Sequence, residues 1–188
     1  MVRIADATAE CWNDVVAVMG TRGDQSRCWC QWFRHDRPGF YATTTAQRRA
    51  ALQVQVEAPP PPGVLVYDDA GAPSGWCAVA PRADYPRLAT YRMAPATANE
   101  DGLWSVTCFI VRVGQRRKGL AEVLLDGAVD LARRHGARAV EAYPLDLTVR
   151  AASSAELFHG PLSVFLELGF REVGARPAPA RPVVRLTL

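Results

Sequence analysis

The stretch from Trp104 to Gly136 constrains this chain more than any other, because an uncharged strand, a basic turn and an amphipathic helix follow one another there. Trp104 to Val111 (WSVTCFIV) is rich in β-branched and aromatic residues, the composition of a strand covered on both faces. From Leu120 onward, Leu120, Val123, Leu124, Ala128 and Leu131 recur at the helical period, with Glu122, Asp126, Asp130 and Arg134 on other faces. Gly136 is placed to stop that helix behind Arg133, Arg134 and His135, which suit its negative end. Between strand and helix lie Arg116, Arg117, Lys118, Gly119, Leu120 and Ala121. Gly119 removes a side chain where backbone approaches a ligand, and the helix start offers unpaired N–H groups and partial positive charge to an anion. With three cations added, a pyrophosphate fits there. The competing reading is a basic surface turn.

The pattern Arg-x-x-Gly-x-Ala, after a central strand and opening a helix, resembles the acyl-CoA-binding motif of the GNAT superfamily of N-acyltransferases. The usual form is Arg/Gln-x-x-Gly-x-Gly/Ala, matched by Arg116, Gly119 and Ala121. Phe158 to Phe170 (FHGPLSVFLELGF) resembles the late family helix that ends in Gly-Phe before the next strand. Similar sequences carry Trp-Ser-Val-Thr-Cys-Phe before the motif and Glu-x-Tyr-Pro after it, as Trp104 to Phe109 and Glu141 to Pro144 do here. The likeness runs over roughly residues 63 to 176. It implies an α/β fold with a mixed, mostly antiparallel central sheet, helices on both faces, and splayed central strands with pantetheine between them. It further implies that backbone at Ile110 and Val111 pairs with pantetheine amides. Arg116, Arg117, Lys118, Gly119, Leu120 and Ala121 would then hold the pyrophosphate of acetyl-CoA, with direct acyl transfer and no metal.

The remaining elements agree with that arrangement. Val2 to Ala5 reads as a first strand, Ala9 to Met19 as a helix broken by Gly20 and Gly23, and Thr43, Thr44 or Thr45 as the cap of a helix to about Glu57. Pro59 to Pro62 form a stiff connector. Val64 to Tyr67 and Gly75 to Ala80 read as strands joined at Asp68-Asp69-Ala70-Gly71. Arg82 to Gly102 has no convincing period and reads as a long loop. A strand at Ala139 to Tyr143, a helix near Pro161 to Leu168, and strands near Arg171 to Val173 and Val183 to Leu188 complete the order. At 188 residues the simplest expectation is one domain, 1–188.

Charge and cysteine usage narrow the function classes. A net charge of +3 with dispersed arginines is too small for a general nucleic-acid binder. No apolar run reaches membrane-span length and no signal-peptide pattern opens the chain, so the expected location is cytoplasmic. Five cysteines, an odd number, argue against a disulfide framework. Cys28-x-Cys30 lacks a second Cys/His pair at zinc spacing, and Cys77 and Cys108 read as core.

Amine acylation needs a base for the attacking amine and an acid for the leaving thiolate. Many GNAT enzymes place a tyrosine in the late helix as the acid and, in some, a glutamate near the start of the central strand as the base. Here Phe165 and Ser105 stand in those places. Glu141, in the apolar strand Ala-Val-Glu-Ala-Tyr, is the first candidate base, with an arginine-paired glutamate as the alternative. Tyr143, two residues on and on the same strand face, is the candidate acid. His159 is a proton relay, or else a cap or surface residue. Asp146 either positions a cationic acceptor or shapes the turn after Pro144. Trp29 and Trp32, in the cluster Cys28 to Phe33, either help bind the acceptor or cover the sheet.

The leading expectation is transfer of an acetyl group from acetyl-CoA to a small-molecule amine. A protein or peptide N-acetyltransferase and a non-catalytic acyl-CoA sensor are the alternatives, and the C-terminal strands offer an edge for a homodimer.

Overall fold

A computed structural model describes residues 2–92, 94, 101–153 and 155–188. Among the described residues, seven strands form one sheet: β1 (Arg3–Asp6), β2 (Gly63–Tyr67), β3 (Pro73–Pro81), β4 (Leu103–Val111), β5 (Ala139–Ala142), β6 (Arg171–Glu172) and β7 (Val184–Thr187). Their order is β1-β2-β3-β4-β5-β7-β6. Every pairing is antiparallel except β4 with β5, which run parallel. The mixed, mostly antiparallel sheet has helices on both faces.

The helices are α1 (Trp12–Met19), α2 (Gln25–Cys28), α3 (Arg37–Ala42), α4 (Thr45–Glu57), α5 (Leu120–Arg134) and α6 (Leu162–Glu167). On one face, α5 and α6 press Leu124, Leu125, Ala128, Leu131 and Phe165 onto Val64, Val66, Cys77, Val79, Val106 and Val140. On the other, α1 and α4 cover Leu65, Trp76 and Ala78 with Val15, Met19, Leu52 and Val56. β2 is buried along its whole length, which explains why its sequence is apolar without alternation.

Local chemistry sets the helix ends. Thr44 caps α4: its hydroxyl accepts from the Gln47 amide at 3.2 Å, and the Gln47 side chain accepts from the Thr44 amide at 2.8 Å. Gly136, with φ +79°, ends α5, and the Ala137 amide turns back to the Ala132 carbonyl at 3.0 Å. The helix expected over Ala9 to Met19 opens as a 3-10 turn, Ala9–Cys11, and continues as α1. Arg82 to Gly102, expected as a long loop, contains two 3-10 turns in its described part, Arg82–Asp84 and Pro86–Ala89, and residues 93 and 95–100 of it lie outside the described residues. Such short turns leave no periodic trace in sequence. Buried Arg87 anchors them by donating to the carbonyls of His35 and Asp36 at 3.2 and 3.0 Å.

Two features open the sheet at its centre. The β4–β5 ladder joins Leu103–Val106 to Ala139–Ala142 and stops, while β4 runs on to Val111. A register shift where Ala78 and Val79 face Cys108 and Val106 puts a bulge at Thr107, bending β4 at that point. Phe165 is fully buried beneath the split, edge-on to Phe109 and Phe170 with ring centroids 5.8 and 5.3 Å away. Phe165→Ala is expected to cost about 3–5 kcal/mol and to lower Tm by roughly 10 °C. A shift under about 2 °C in a thermal melt would show that α6 does not support this junction.

Candidate active site

β4 ends in the basic loop, and α5 begins where that loop ends. Arg112 to Gly114 and Arg116 to Gly119 are exposed. Gly119, with φ +73°, precedes the first residue of α5, and Arg117 also takes a positive φ, +61°. A Cβ on Gly119 would meet just the Glu122 carboxylate, at 3.3 Å. The space over the helix end is therefore free of neighbouring backbone, and the amides of Leu120 and Ala121 have no intrahelical acceptor. Arg116 Nε is tied back to the Val111 carbonyl at 3.2 Å, fixing the loop to the strand end. Lys118 Nζ donates to Gln115 Oε1 at 2.8 Å, and Gln115 Nε2 donates to Asp68 Oδ2 at 2.8 Å. Asp68 sits in the β2–β3 turn, where the Ala72 amide holds its carboxyl below the usual range. Open amides, exposed cations and an anchored loop fit a pyrophosphate.

On the sheet face opposite α5, Ser105 and Glu141 stand side by side across the β4–β5 ladder. Tyr143 donates to Glu141 Oε1 at 2.7 Å and shares a hydrogen bond with Ser105 Oγ at 3.3 Å. Glu141 is fully buried. Arg185 donates to its Oε2 at 2.9 Å, and Arg82 Nε lies 3.4 Å from its Oε1. Burial first, then the Glu141 charge, pushes the Tyr143 hydroxyl above its ordinary value, so it stays protonated. Tyr143 packs with Phe33, Tyr85, Leu88 and Val183.

Beyond Phe33 the wall turns polar. His159, 3% exposed, meets the Tyr91 hydroxyl through Nε2 at 3.3 Å and lies against Phe158, with centroids 4.0 Å apart. Desolvation first, then the charge of Arg181, drives the His159 value down to about 3. Its ring is neutral at ordinary pH and exchanges no proton there. The 3-10 turn Glu156–His159 packs against β4.

The GNAT acetyltransferase family model matches residues 26–155. The chain belongs to the GNAT acetyltransferase family. Solved structures agree at the level of the fold. A GCN5-related N-acetyltransferase from Kribbella flavida is 17% identical with a TM-score of 0.56, over 100% of this chain and 98% of that one. The putative acetyltransferase yncA from Salmonella typhimurium, solved with acetyl-CoA, is 14% identical with a TM-score of 0.56, over 99% and 93%. The paia N-acetyltransferase from Thermoplasma acidophilum, solved with coenzyme A, is 9% identical with a TM-score of 0.53, over 100% and 99%. No curated protein matches the chain in sequence.

Within this GNAT chain the other candidate residues separate. Trp29, 5% exposed, packs beside Trp12 in the cluster under α1 and α4. Trp32 is half-buried at the rim, with the Arg87 guanidinium 3.7 Å over its ring and Phe40 and Tyr41 at its edges. Asp146 shapes its own turn: Oδ1 accepts from Thr148 Oγ1 at 2.6 Å, and Oδ2 pairs with Arg176 at 2.8 Å. These bonds, the Thr148 hydroxyl first, hold its carboxyl below the usual range. All five cysteines are free thiols, and among the described residues no three His, Cys, Asp or Glu converge to hold a metal. No described helix is long and apolar enough to cross a membrane.

Sequence reading missed Gln115, Asp68, Arg82, Arg185, Tyr91 and Arg181. Gln115 carried a faint signal, lying inside the basic turn; the others reach the site over long chain separations. The neutral His159 gives a pH test. The unfolded chain protonates this residue near 6.5 and the folded chain at about 3, so between those values the unfolded state binds more protons. Stability falls as pH drops through that window, by up to about 1.4 kcal/mol per pH unit from this residue. Urea unfolding between about pH 7 and 5 is expected to show that slope in wild type and a flatter one in His159→Gln. Equal slopes would mean that His159 titrates normally.

Proposed function

We propose that this GNAT-family protein transfers an acetyl group from acetyl-CoA to the amine of a small molecule. One observation carries the reading: the parallel β4–β5 ladder ends at Val106–Ala142, and the continuing strand leads into the basic loop at the start of α5. Backbone at Ile110 and Val111 would flank pantetheine, and Arg116, Arg117, Lys118, Gly119, Leu120 and Ala121 would take the pyrophosphate. Acetyl-CoA supplies an acetyl group activated as a thioester.

Tyr143 is the proposed proton carrier. Its oxygen receives the proton of the attacking amine while its own proton passes to Glu141 Oε1, 2.7 Å away. The reverse movement returns a proton at the leaving sulfur. Glu141 acts through Tyr143, and Arg82 and Arg185 fix its orientation. Tyr143 is 1% exposed and packs in one apolar cluster with Tyr85 and Leu88. That enclosure favours a small acceptor over a protein surface. Trp32, at the rim beside Arg87, is the better placed of the two tryptophans to meet it.

Saturating acetyl-CoA at a hundred times Kd is expected to stabilise the protein by about 2.7 kcal/mol, a rise of roughly 5–10 °C, with ATP as the control. No rise with any CoA ester would end the acyltransferase reading. Tyr143→Phe and Glu141→Gln are each expected to lower kcat by at least about a hundredfold, with the acetyl-CoA shift retained. Unchanged turnover in either variant would remove that residue from the proton path. The arginine pairing of Glu141 favours a second reading, a non-catalytic acyl-CoA sensor. It predicts the thermal shift with no transfer to any amine and no thioester hydrolysis.

A further inference from the structure

The arginines bordering the Tyr143 wall are paired, with one exception. Arg34 bonds Asp84, Arg82 and Arg185 bond Glu141, Arg87 bonds two carbonyls, and Arg176 bonds Asp146 and Glu172. Arg181 has a buried Nη1 with no acceptor among the described residues. Beside it, His159 Nδ1 is likewise buried without a partner. Leu145 and Asp146 bring the two segments together: the Leu145 amide donates to the Gly160 carbonyl, next to His159, and the Asp146 amide to the Ala180 carbonyl, next to Arg181, each at 3.0 Å, while the Tyr91 hydroxyl meets His159 Nε2 at 3.3 Å. The Arg181 charge accordingly acts on both His159 and Tyr91. Buried donors left unpaired are costly, and a guanidinium N–H most of all. Two such atoms in one place call for an acceptor that the described chain does not supply.

We propose that Arg181, His159 and Tyr91 form a subsite for the carboxylate of the acceptor, which is therefore an amine that also carries a carboxylate, an amino-acid-like small molecule. The inference rests on the acyltransferase reading for the identity of its ligand as acceptor. Arg181 supplies the countercharge. A neutral His159 whose Nε2 accepts from Tyr91 keeps its proton on Nδ1, where it adds a second donor. Phe33 lies edge-on to Tyr91, with centroids 5.2 Å apart, and Phe158 lies on His159; these apolar walls strengthen a charged hydrogen bond over a neutral one. The subsite borders the Tyr143 wall through Phe33, which belongs to the same apolar cluster as Tyr143 and whose ring centroid lies 5.7 Å from that of His159. An acceptor anchored there by its carboxylate presents its amine towards the Tyr143 hydroxyl. His159 is 3% exposed, so the carboxylate belongs to a molecule small enough to be enclosed.

The test measures binding, and needs no turnover. N-acetyl derivatives of the standard amino acids, each matched with its carboxamide, are titrated calorimetrically into the full chain with CoA present. The best carboxylates are expected to bind at least about tenfold more tightly than their carboxamides. Arg181→Gln is expected to erase that gap while keeping the wild-type thermal shift with acetyl-CoA. Equal affinity of the paired compounds for wild type, or no binding by either, overturns the subsite without recourse to a variant. A gap that survives in Arg181→Gln also overturns it. Carboxylate preference with no acetyl-CoA shift would leave the subsite standing and remove the acyltransferase reading. An acetyl-CoA shift with no preference would do the reverse.

Discussion

The short parallel ladder between β4 and β5 is the constraint on which the rest of this structure depends. Four residue pairs hold the two halves of the sheet together, and then β4 continues without its partner. The ending has local causes. Tyr143-Pro144 follows β5, and proline cannot extend a ladder through its own nitrogen. The bulge at Thr107 turns β4 away at the same level. Backbone groups beyond such a split need hydrogen-bonding partners, and a ligand with amides of its own can provide them. The basic loop begins where β4 ends, so the opening and the proposed anion site belong to one continuous segment.

Glu141 sits in the last pair but one of that ladder, and its surroundings show how a buried charge is kept in place. It lies between Arg82 and Arg185, with Tyr143 on the same oxygen as Arg82. Removing one member of a buried ion pair costs about 3–5 kcal/mol, although the pair as a whole adds little stability over an apolar replacement. The cluster is thus better understood by what it orients than by what it stabilises. It holds the Tyr143 hydroxyl in one direction, and it ties β5 and β7 to the Arg82 turn across the mouth of the split.

The sequence made β4, the basic turn and α5 legible because their signals are local: an uncharged β-branched run, a glycine before a periodic helix, and a glycine after it. The cap of α4 falls among three adjacent threonines for the same reason, whereas the partnership of Thr44 with Gln47 is seen in the structure. Side-chain destinations were less visible. Trp29 and Trp32 are three residues apart in one aromatic cluster, yet one is core and the other rim. The cause is a reversal at Trp29 and Cys30, both with φ near +50°, a conformation that composition does not announce. Phe165, the departure from the family tyrosine, proved to be a packing residue whose burial suits a ring without a hydroxyl. The Gln115–Asp68 and Arg185–Glu141 bonds span 47 and 44 positions. A single sequence with many arginines cannot say which of them finds which carboxylate.

The two ends of the proposed site would use positive charge in different ways, and exposure decides which. Arg117 and Lys118 stand in solvent at the start of α5, where a cation is cheap to keep and is screened beyond about 8–10 Å. Such charges suit a large polyanion that arrives from water and keeps part of its hydration. Arg181 has a nitrogen withdrawn from water beside a histidine that is itself held neutral. A neutral imidazole there avoids a second buried cation, which the same low-dielectric surroundings would make strongly repulsive. The arrangement is therefore matched to one compact negative charge. On the proposed reading, donor and acceptor ends differ in the size of the anion they suit, and a molecule suited to one is poorly suited to the other.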